Sequence, residues 1–419
     1  MAIQSFTVSN YKAFSEAVTV NVRPLTLLFG YNSAGKSALA RWLPLLRDSL
    51  AARRSSPFDM ASLAARGATF SSLLSKFTAS PTLRFEIAGD LGKLSYVIRD
   101  IPETRSQVVE SIVFDNDDTR SISWAPESTG DEYNVRWNDK DAYSTSITFG
   151  GLFPRQQQVG GSLTNAISAM ARTILEDCVS DVYWLQAVRA VPPRRELFKG
   201  APAHVLPDGT GVTELIIGAE TSGADIVPAI SQWYESATGY KLTLERGAFK
   251  DSEMFSFGLT KGAVLNSVEL ADTGEGMGQV LPIVGLLTLA EHSLLGENVP
   301  TLIFEQPELH LHQAVEPALA ELLCRVAAAK KANIIAETHS ESLLLSVQLG
   351  LIEGRLDPAD VAVYWIRQSD EGPATASEIT FDELGRPSGG DWPPGVFTHN
   401  TKQARELVRR QIAKERDAS

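Results

Sequence analysis

Apolar residues along this chain recur with two periods, and the change of period divides it. Residues 3–8, 17–23 and 25–29 alternate or run apolar, as short strands do. A helical pattern follows from Ala38, with Pro44 about two turns in, where the missing N–H predicts a kink or an early end. The stretch 48–75 is rich in Arg, Ser and Ala and predicts helix and loop. From about 82 to 150 period two takes over: Leu83-Arg-Phe-Glu-Ile, Leu94-Ser-Tyr-Val-Ile, Ser111-Ile-Val-Phe and Tyr133-Asn-Val-Arg-Trp are separated by Asp- and Gly-containing turns. That is the signature of an antiparallel sheet with one wet face. Helices are expected at 161–180 and 224–237, and strands at 182–185, 241–245, 253–259 and 264–270. Later, Thr301-Leu-Ile-Phe304 and Asn333-Ile-Ile-Ala-Glu337 are short, mainly apolar runs of the kind found in buried parallel strands. Between them Val315, Leu319, Leu322, Leu323 and Val326 mark a helix with Pro317 in its first turn. Four parts result: 1–80 and 261–370 as the two halves of an α/β core, 81–260 as an antiparallel region with a helical insertion, and 371–419 as a small extension. No heptads are sustained, so no coiled-coil arm is expected. Residues 401–416 read as a basic amphipathic helix, with Arg405, Arg409, Arg410 and Lys414 on a solvated face.

Composition narrows the picture. The chain has 419 residues, 43% hydrophobic and 21% charged, enough for two or three packed lobes or one large α/β domain with an insertion. No run reaches the roughly 18–20 apolar residues of a membrane span. The start shows no basic segment followed by an apolar one, so no signal peptide is read and the expected location is cytoplasmic. Cys178 and Cys324 stand alone in apolar helical context and read as buried free thiols of a reducing compartment. The net charge of −13 repels phosphate over the whole surface and leaves room only for a local nucleic-acid contact.

The chemistry is concentrated in four places. Gly30-Tyr-Asn-Ser-Ala-Gly35-Lys36-Ser37 matches the phosphate-loop pattern G-x-x-x-x-G-K-[ST] between a predicted strand and a predicted helix. Backbone N–H groups there can face a nucleotide's phosphates, Lys36 can reach the β/γ-phosphates, and Ser37 can complete a Mg²⁺ shell. Gly30, Asn32, Ser33, Ala34, Gly35, Lys36, Ser37 and Ala38 are therefore the candidate ATP contacts. Glu305, at the end of the 301–304 strand, is in phase to hold Mg²⁺ opposite Ser37, so Ser37 and Glu305 are the candidate metal residues. His339, at the tip of the next strand, can reach a γ-phosphate or an attacking water. The glycine-rich run Asp272-Thr-Gly274-Glu-Gly276-Met-Gly278-Gln279 has the position of a second phosphate-contacting loop, one that acts on the ATP of another subunit. His310 and His312 lack the i, i+4 spacing of helical zinc motifs and read as loop hydrogen-bonding residues.

With these motifs in order, the chain resembles the ABC-type ATPase heads of the SMC and overcoming-lysogenization-defect class, often labelled AAA-family ATPases in bacteria. The likeness spans Asn10-Tyr-Lys-Ala-Phe14, the phosphate loop, the segments around 183–194 and 272–282, Glu305 to His312, and Glu337-Thr-His-Ser340. The tail, with Asp391-Trp-Pro-Pro-Gly-Val-Phe397, is similar to a C-terminal domain of unknown function in a branch frequent among antiphage defence genes. The resemblance implies a P-loop NTPase of the ABC-head type: a mixed core sheet, an antiparallel β region and a helical insertion. It also implies ATP and Mg²⁺ as cofactors, a homodimer or higher homo-oligomer, Glu305 as the Mg²⁺-linked acid, His339 as the switch histidine, and Gly274, Gly276 and Gln279 as a signature loop acting in trans.

Two departures carry consequences. The position after the Mg²⁺ acid is commonly a catalytic Glu and is here Gln306, an amide that cannot act as a general base. Either Glu308 or His339 takes the role, or hydrolysis is slow. Gly278 stands where a serine is common. The chain shows no appended acidic nuclease cluster, so the expectation is a slow ATPase that controls a separate effector protein. The alternatives are a non-catalytic ATP-stabilised scaffold and an SMC-like DNA-repair ATPase.

Overall fold

Alternation along the early strands builds an eight-stranded antiparallel sheet. Ile3–Ser9 pairs with both Val18–Asn21 and Thr82–Gly89, and the sheet continues through Gly92–Ile101, Ser106–Asp115, Thr119–Trp124, Glu132–Trp137 and Lys140–Ser146. Phe6, Val8, Phe85, Ile87, Leu94, Tyr96 and Ile98 turn to the buried face, which is what period-two patterning demands. The first two strands thus lie in this sheet rather than beside the phosphate loop. Helix Ser162–Val179 covers the buried face with a stripe of Ile167, Ala171, Ile174, Leu175 and Cys178. The structure is a computed structural model. It describes residues 3–389 apart from 52–55, 105, 117, 126–130, 139, 156–161, 199, 201–203, 250–251, 263–266 and 370. The tail motif at 391–397 and the basic helix expected at 401–416 lie outside the described residues.

The second sheet orders its strands Val182–Leu185, Thr301–Glu305, Asn333–Thr338, Leu25–Gly30, Val361–Gln368, Ala374–Phe381 and Pro387–Gly389. The first five are parallel, and the last two run antiparallel at one edge. The strands at 25–30, 301–305 and 333–338 are buried at every position, because this sheet has a core on each face. Leu28, Ile303, Ile335 and Tyr364 enter the core shared with the antiparallel sheet. Leu27, Leu302, Phe304, Ile334 and Val363 enter a second core, closed by helices Val212–Thr221, Ile226–Thr238, Glu275–Glu291, Glu316–Ala328 and Glu341–Ile352. The result is a mixed α/β core of the P-loop nucleotide-binding type with an antiparallel sheet packed against it.

Local sequence explains the element ends. The helix after the phosphate loop stops at Ala40 and resumes at Trp42, since Pro44 has no N–H for the carbonyl of Ala40. Of the expected strand at 264–270, residues 264–266 lie outside the described residues; Val268–Glu269 is a strand, and Leu270–Asp272 forms a 3₁₀ turn whose Leu270 is buried. Helix Glu275–Glu291 is apolar nearly all round and is buried from Gly278 to Ala290, as a helix of that composition must be. Cys178 lies in the first core and Cys324 in the second; both are unpaired.

Candidate functional site

Two close approaches shape the phosphate loop. Gly30 (φ 154°) runs so near the neighbouring strand that a Cβ would lie 2.0 Å from the Ile366 carbonyl oxygen. Gly35 (φ 104°) faces the Phe14 ring, which a Cβ would meet at 2.9 Å. Ser33 between them is also left-handed, at φ 64°. Only glycine fits the first two positions. The Asn10–Phe14 turn forms the floor under the loop. Asn10 Nδ2 donates to the carbonyls of Ser80 (2.8 Å) and Thr82 (2.7 Å), and its Oδ1 accepts from Ser75 N–H (3.1 Å). Tyr31, Asn32 and Ser33 are exposed at the rim, Ala34 and Lys36 are buried, and Ser37 and Ala38 are half-buried. Lys36 folds over its own loop, with Nζ donating to Gly30 O (3.0 Å) and Tyr31 O (2.6 Å). Burial lowers its pKa, and the carboxylates of Glu337 and Glu308 oppose that shift.

Three carboxylates meet at the strand ends beside the loop. Glu305 is 2% exposed and is gripped through both oxygens by Arg41, with Nε on Oε1 at 2.6 Å and Nη2 on Oε2. Its Oε1 also accepts from Trp184 Nε1 (2.8 Å). Glu337 is its partner in register on the adjacent strand, one strand nearer the loop. Glu337 Oε1 accepts from Ser37 Oγ at 2.9 Å, and its Oε2 is buried with no partner. Burial and the nearby Glu305 raise its pKa. Glu308 Oε1 accepts from Thr338 Oγ1 (2.7 Å) and His339 N–H (3.1 Å), while its Oε2 is buried and unpartnered. Burial raises its pKa too.

The sequence reading placed Glu305 opposite Ser37. The structure brings both to one site, but the carboxylate on the Ser37 hydroxyl belongs to Glu337. Glu337 and Arg41 were missed as chemistry. Glu337 reads as the last residue of an apolar strand, and Arg41 as one more polar helix position. Neither contact has a local signal, since Ser37 and Glu337 lie 300 positions apart and Arg41 and Glu305 lie 264 apart.

Gln306 holds a left-handed conformation (φ 46°), its N–H bonded to the Glu337 carbonyl at 2.7 Å. His339 is half-buried, and burial and the Lys36 charge lower its pKa, so its ring is neutral at pH 7. Arg189 is 3% exposed under the same turn. It donates to the carbonyls of Gln279 (2.8 Å), Gln186 (3.1 Å), Glu305 (3.4 Å) and Gln306 (3.5 Å), and burial pushes its pKa down to about 10. Arg194 pairs with Asp272 and Glu269. Both arginines are therefore engaged within the chain.

The glycine-rich run is packed against its own chain, except at its first glycine. Gly274 is exposed, with nothing within 4 Å of a Cβ. At Gly276 a Cβ would come within 2.3 Å of the His310 carbonyl oxygen, and at Gly278 within 2.8 Å of Val191 Cγ1. A serine at 278 has no room. Gln279 is 6% exposed. His312 Nδ1 accepts from Ala314 N–H, and His310 lies 3.8 Å from Glu275.

These residues fit a nucleotide with a hard divalent cation. A hydroxyl beside a buried, unpartnered carboxylate oxygen is an oxygen donor set of the kind Mg²⁺ takes, and an oxygen left bare there costs about 1–3 kcal/mol. Among the described residues no three His, Cys, Asp or Glu side chains gather into a protein-only metal cluster. No described helix is long and apolar enough to cross a membrane.

Residues 180–346 match the family described as "AAA domain, putative AbiEii toxin, Type IV TA system". The match takes in Glu305, Gln306, Glu308 and His339 and begins well after the phosphate loop. No curated protein sequence matches the chain. Among solved structures it is similar to an SMC head bound to the C-winged-helix domain of ScpA, at 12% identity over 91% of this chain and 98% of that one, with a TM-score of 0.49. It is also similar to the SMC head domain of Thermotoga maritima (10%, 91% and 100%, 0.42). A third is an SMC head with an extended coiled coil, bound to the C-terminal domain of ScpA derived from Pyrococcus furiosus (10%, 90% and 96%, 0.46).

Proposed function

We propose that this chain binds ATP with Mg²⁺ at the 30–38 loop and hydrolyses it slowly. ATP-bound copies associate into a dimer or higher homo-oligomer, and that assembly controls a separate effector protein in antiphage defence. The observation that carries the reading is the convergence of the loop, Lys36, Ser37 and the acid-bearing strand ends on one site, with an amide at the position after Glu305. The defence setting is supported by the matched family's description, which names a toxin of a toxin–antitoxin system.

Each residue has a task in this reading. Loop N–H groups bind phosphate oxygens, and the Lys36 ammonium exchanges its two loop carbonyls for them. Ser37 and an acid beside it hold the cation, which neutralises charge building up on the transferred phosphoryl group. Gln306 positions the attacking water but cannot take its proton. Glu308 is held by Thr338 and His339 through one oxygen only; its other oxygen is bare, and burial raises its basicity. Glu308 and the His339 ring are the two candidate proton acceptors. Gly274, at the exposed start of its helix, faces outward toward the nucleotide of a second copy.

The test is hydrolysis rate measured alongside mass in solution. The wild type should turn over below about 1 s⁻¹. Lys36→Ala should lose nucleotide binding and assembly together. Gln306→Glu should raise turnover and shorten the life of the ATP-bound oligomer. A wild type that stays monomeric with ATP and Mg²⁺ sinks the assembly part of the proposal. A second reading, a scaffold that holds ATP without turning it over, is favoured by the amide at Gln306 and the missing hydroxyl at Gly278; it predicts no hydrolysis even in Gln306→Glu.

A further inference from the structure

We infer that the divalent cation of this site is seated by Ser37 and Glu337, and that Glu305 is a positioning residue locked to Arg41 and Trp184. The inference rests on the nucleotide-binding reading above and assigns the acid which that reading left open.

Three observations carry it. First, Glu305 has most of its acceptor sites already taken. Its two oxygens offer about four lone-pair sites, and three donors occupy them: Arg41 Nε (2.6 Å), Arg41 Nη2 and Trp184 Nε1 (2.8 Å). The guanidinium also lies over the Trp184 ring, 5.8 Å from its centre. A dication approaching Glu305 meets that fixed positive charge in a poorly screened interior. Second, Glu337 keeps one oxygen bare, although the Lys36 and Arg41 charges also act on it. It is 3% exposed, its Oε1 is on the Ser37 hydroxyl at 2.9 Å, and its Oε2 is buried without any partner. A buried bare carboxylate oxygen calls for an explanation, and a cation ligand supplies one. Third, the topology puts Glu337 on the strand between the Glu305 strand and the loop strand, in register with Leu28. It is therefore the carboxylate nearer the phosphate loop.

Glu305 then acts through its partners. It fixes Arg41, one helical turn beyond Ser37, and so fixes the direction in which the start of that helix presents Ser37. Two acids with distinct tasks follow: one meets the cation and one holds the frame.

The experiment uses the full chain and two titrations. Metal-free binding of the non-hydrolysable analogue AMP-PNP is measured first, in EDTA. Mn²⁺ is then added with protein in excess over the analogue, and bound Mn²⁺ is read from its electron paramagnetic resonance spectrum. Glu337→Gln keeps an acceptor for Ser37 and should weaken Mn²⁺ by at least about tenfold, while metal-free analogue binding becomes no weaker, because a negative charge beside the phosphates is gone. Glu305→Gln should leave Mn²⁺ affinity within about threefold and lower the melting temperature, since it disturbs the Arg41 grip. If Glu337→Gln does not fold, Glu337→Asp keeps the charge, shortens the reach, and should still weaken Mn²⁺. Loss of Mn²⁺ in Glu305→Gln with retention in Glu337→Gln overturns the assignment, and so does equal loss in both. A wild type that binds no analogue either without metal or with Mn²⁺ fails the nucleotide reading itself, and the assignment falls with it.

Discussion

His339 shows how burial tunes one side chain. Its pKa lies below the ordinary 6.5, because its surroundings and the Lys36 charge disfavour the imidazolium. A base with a depressed pKa stays competent down to that lower value. Turnover should therefore hold level from about pH 8 to below the usual histidine range before it falls, and His339→Asn should abolish that acid limb. A limb centred at or above the ordinary histidine value would remove His339 from the role. Much at this scale was readable beforehand. Lys36, Ser37, Glu305, Gln306 and His339 stand in contiguous motifs whose order on strands and loops is local. The pairing of Arg41 with Glu305 spans 264 positions and depends on which way a helix faces, which no local pattern encodes. The pairing of Ser37 with Glu337 is hidden in the same way.

Among elements, helix Glu275–Glu291 is the most constrained at its start. Its second residue, Gly276, touches a backbone carbonyl, so Gly276→Ala must displace either the helix or the turn after Glu305; the expected loss is about 1–3 kcal/mol by denaturant unfolding. Gly274, with open space around it, should accept Asp with no change in melting temperature. On the proposed reading Gly274→Asp sets a negative charge against another copy's phosphates and abolishes the ATP-dependent rise in mass. An unchanged mass shift would show that this loop makes no such contact. The helix itself was legible from its glycine-rich start and apolar body. Its packing was not: the absence of a serine at 278 looked like a lost contact to phosphate and proves to be a steric fit to Val191. Arg189 is the strut that joins this helix to the Glu305–Gln306 turn.

Across the whole molecule, charge is arranged against its average. The chain carries −13, yet its acids crowd in pairs. Away from the nucleotide site, Glu196 and Glu214 share the Thr213 hydroxyl at 2.7 and 3.1 Å, and burial with the neighbouring acid pushes Glu196 up to about 7. An acid whose folded pKa is raised stabilises below its unfolded value and loses that contribution as pH rises through the folded one. Glu196→Gln should therefore raise the melting temperature more at about pH 8 than at about pH 5. Equal gains would mean that the pair does not share a proton.

The same molecule-wide view bears on how the chain is made. The phosphate-loop strand, Leu25–Gly30, is hydrogen-bonded on one side to Asn333–Thr338 and on the other to Val361–Gln368. Its partners leave the ribosome some 300 residues later, which at about 5–20 residues per second is roughly 15–60 s of synthesis. The antiparallel sheet has all its strands by Ser146 and can pair long before then. During that interval Leu25–Gly30 is an apolar segment with nothing to lie against, and the loop it launches has no shape. The nascent chain cannot engage a nucleotide until its synthesis is nearly over, so any copy cut short before Val361 is born without the site.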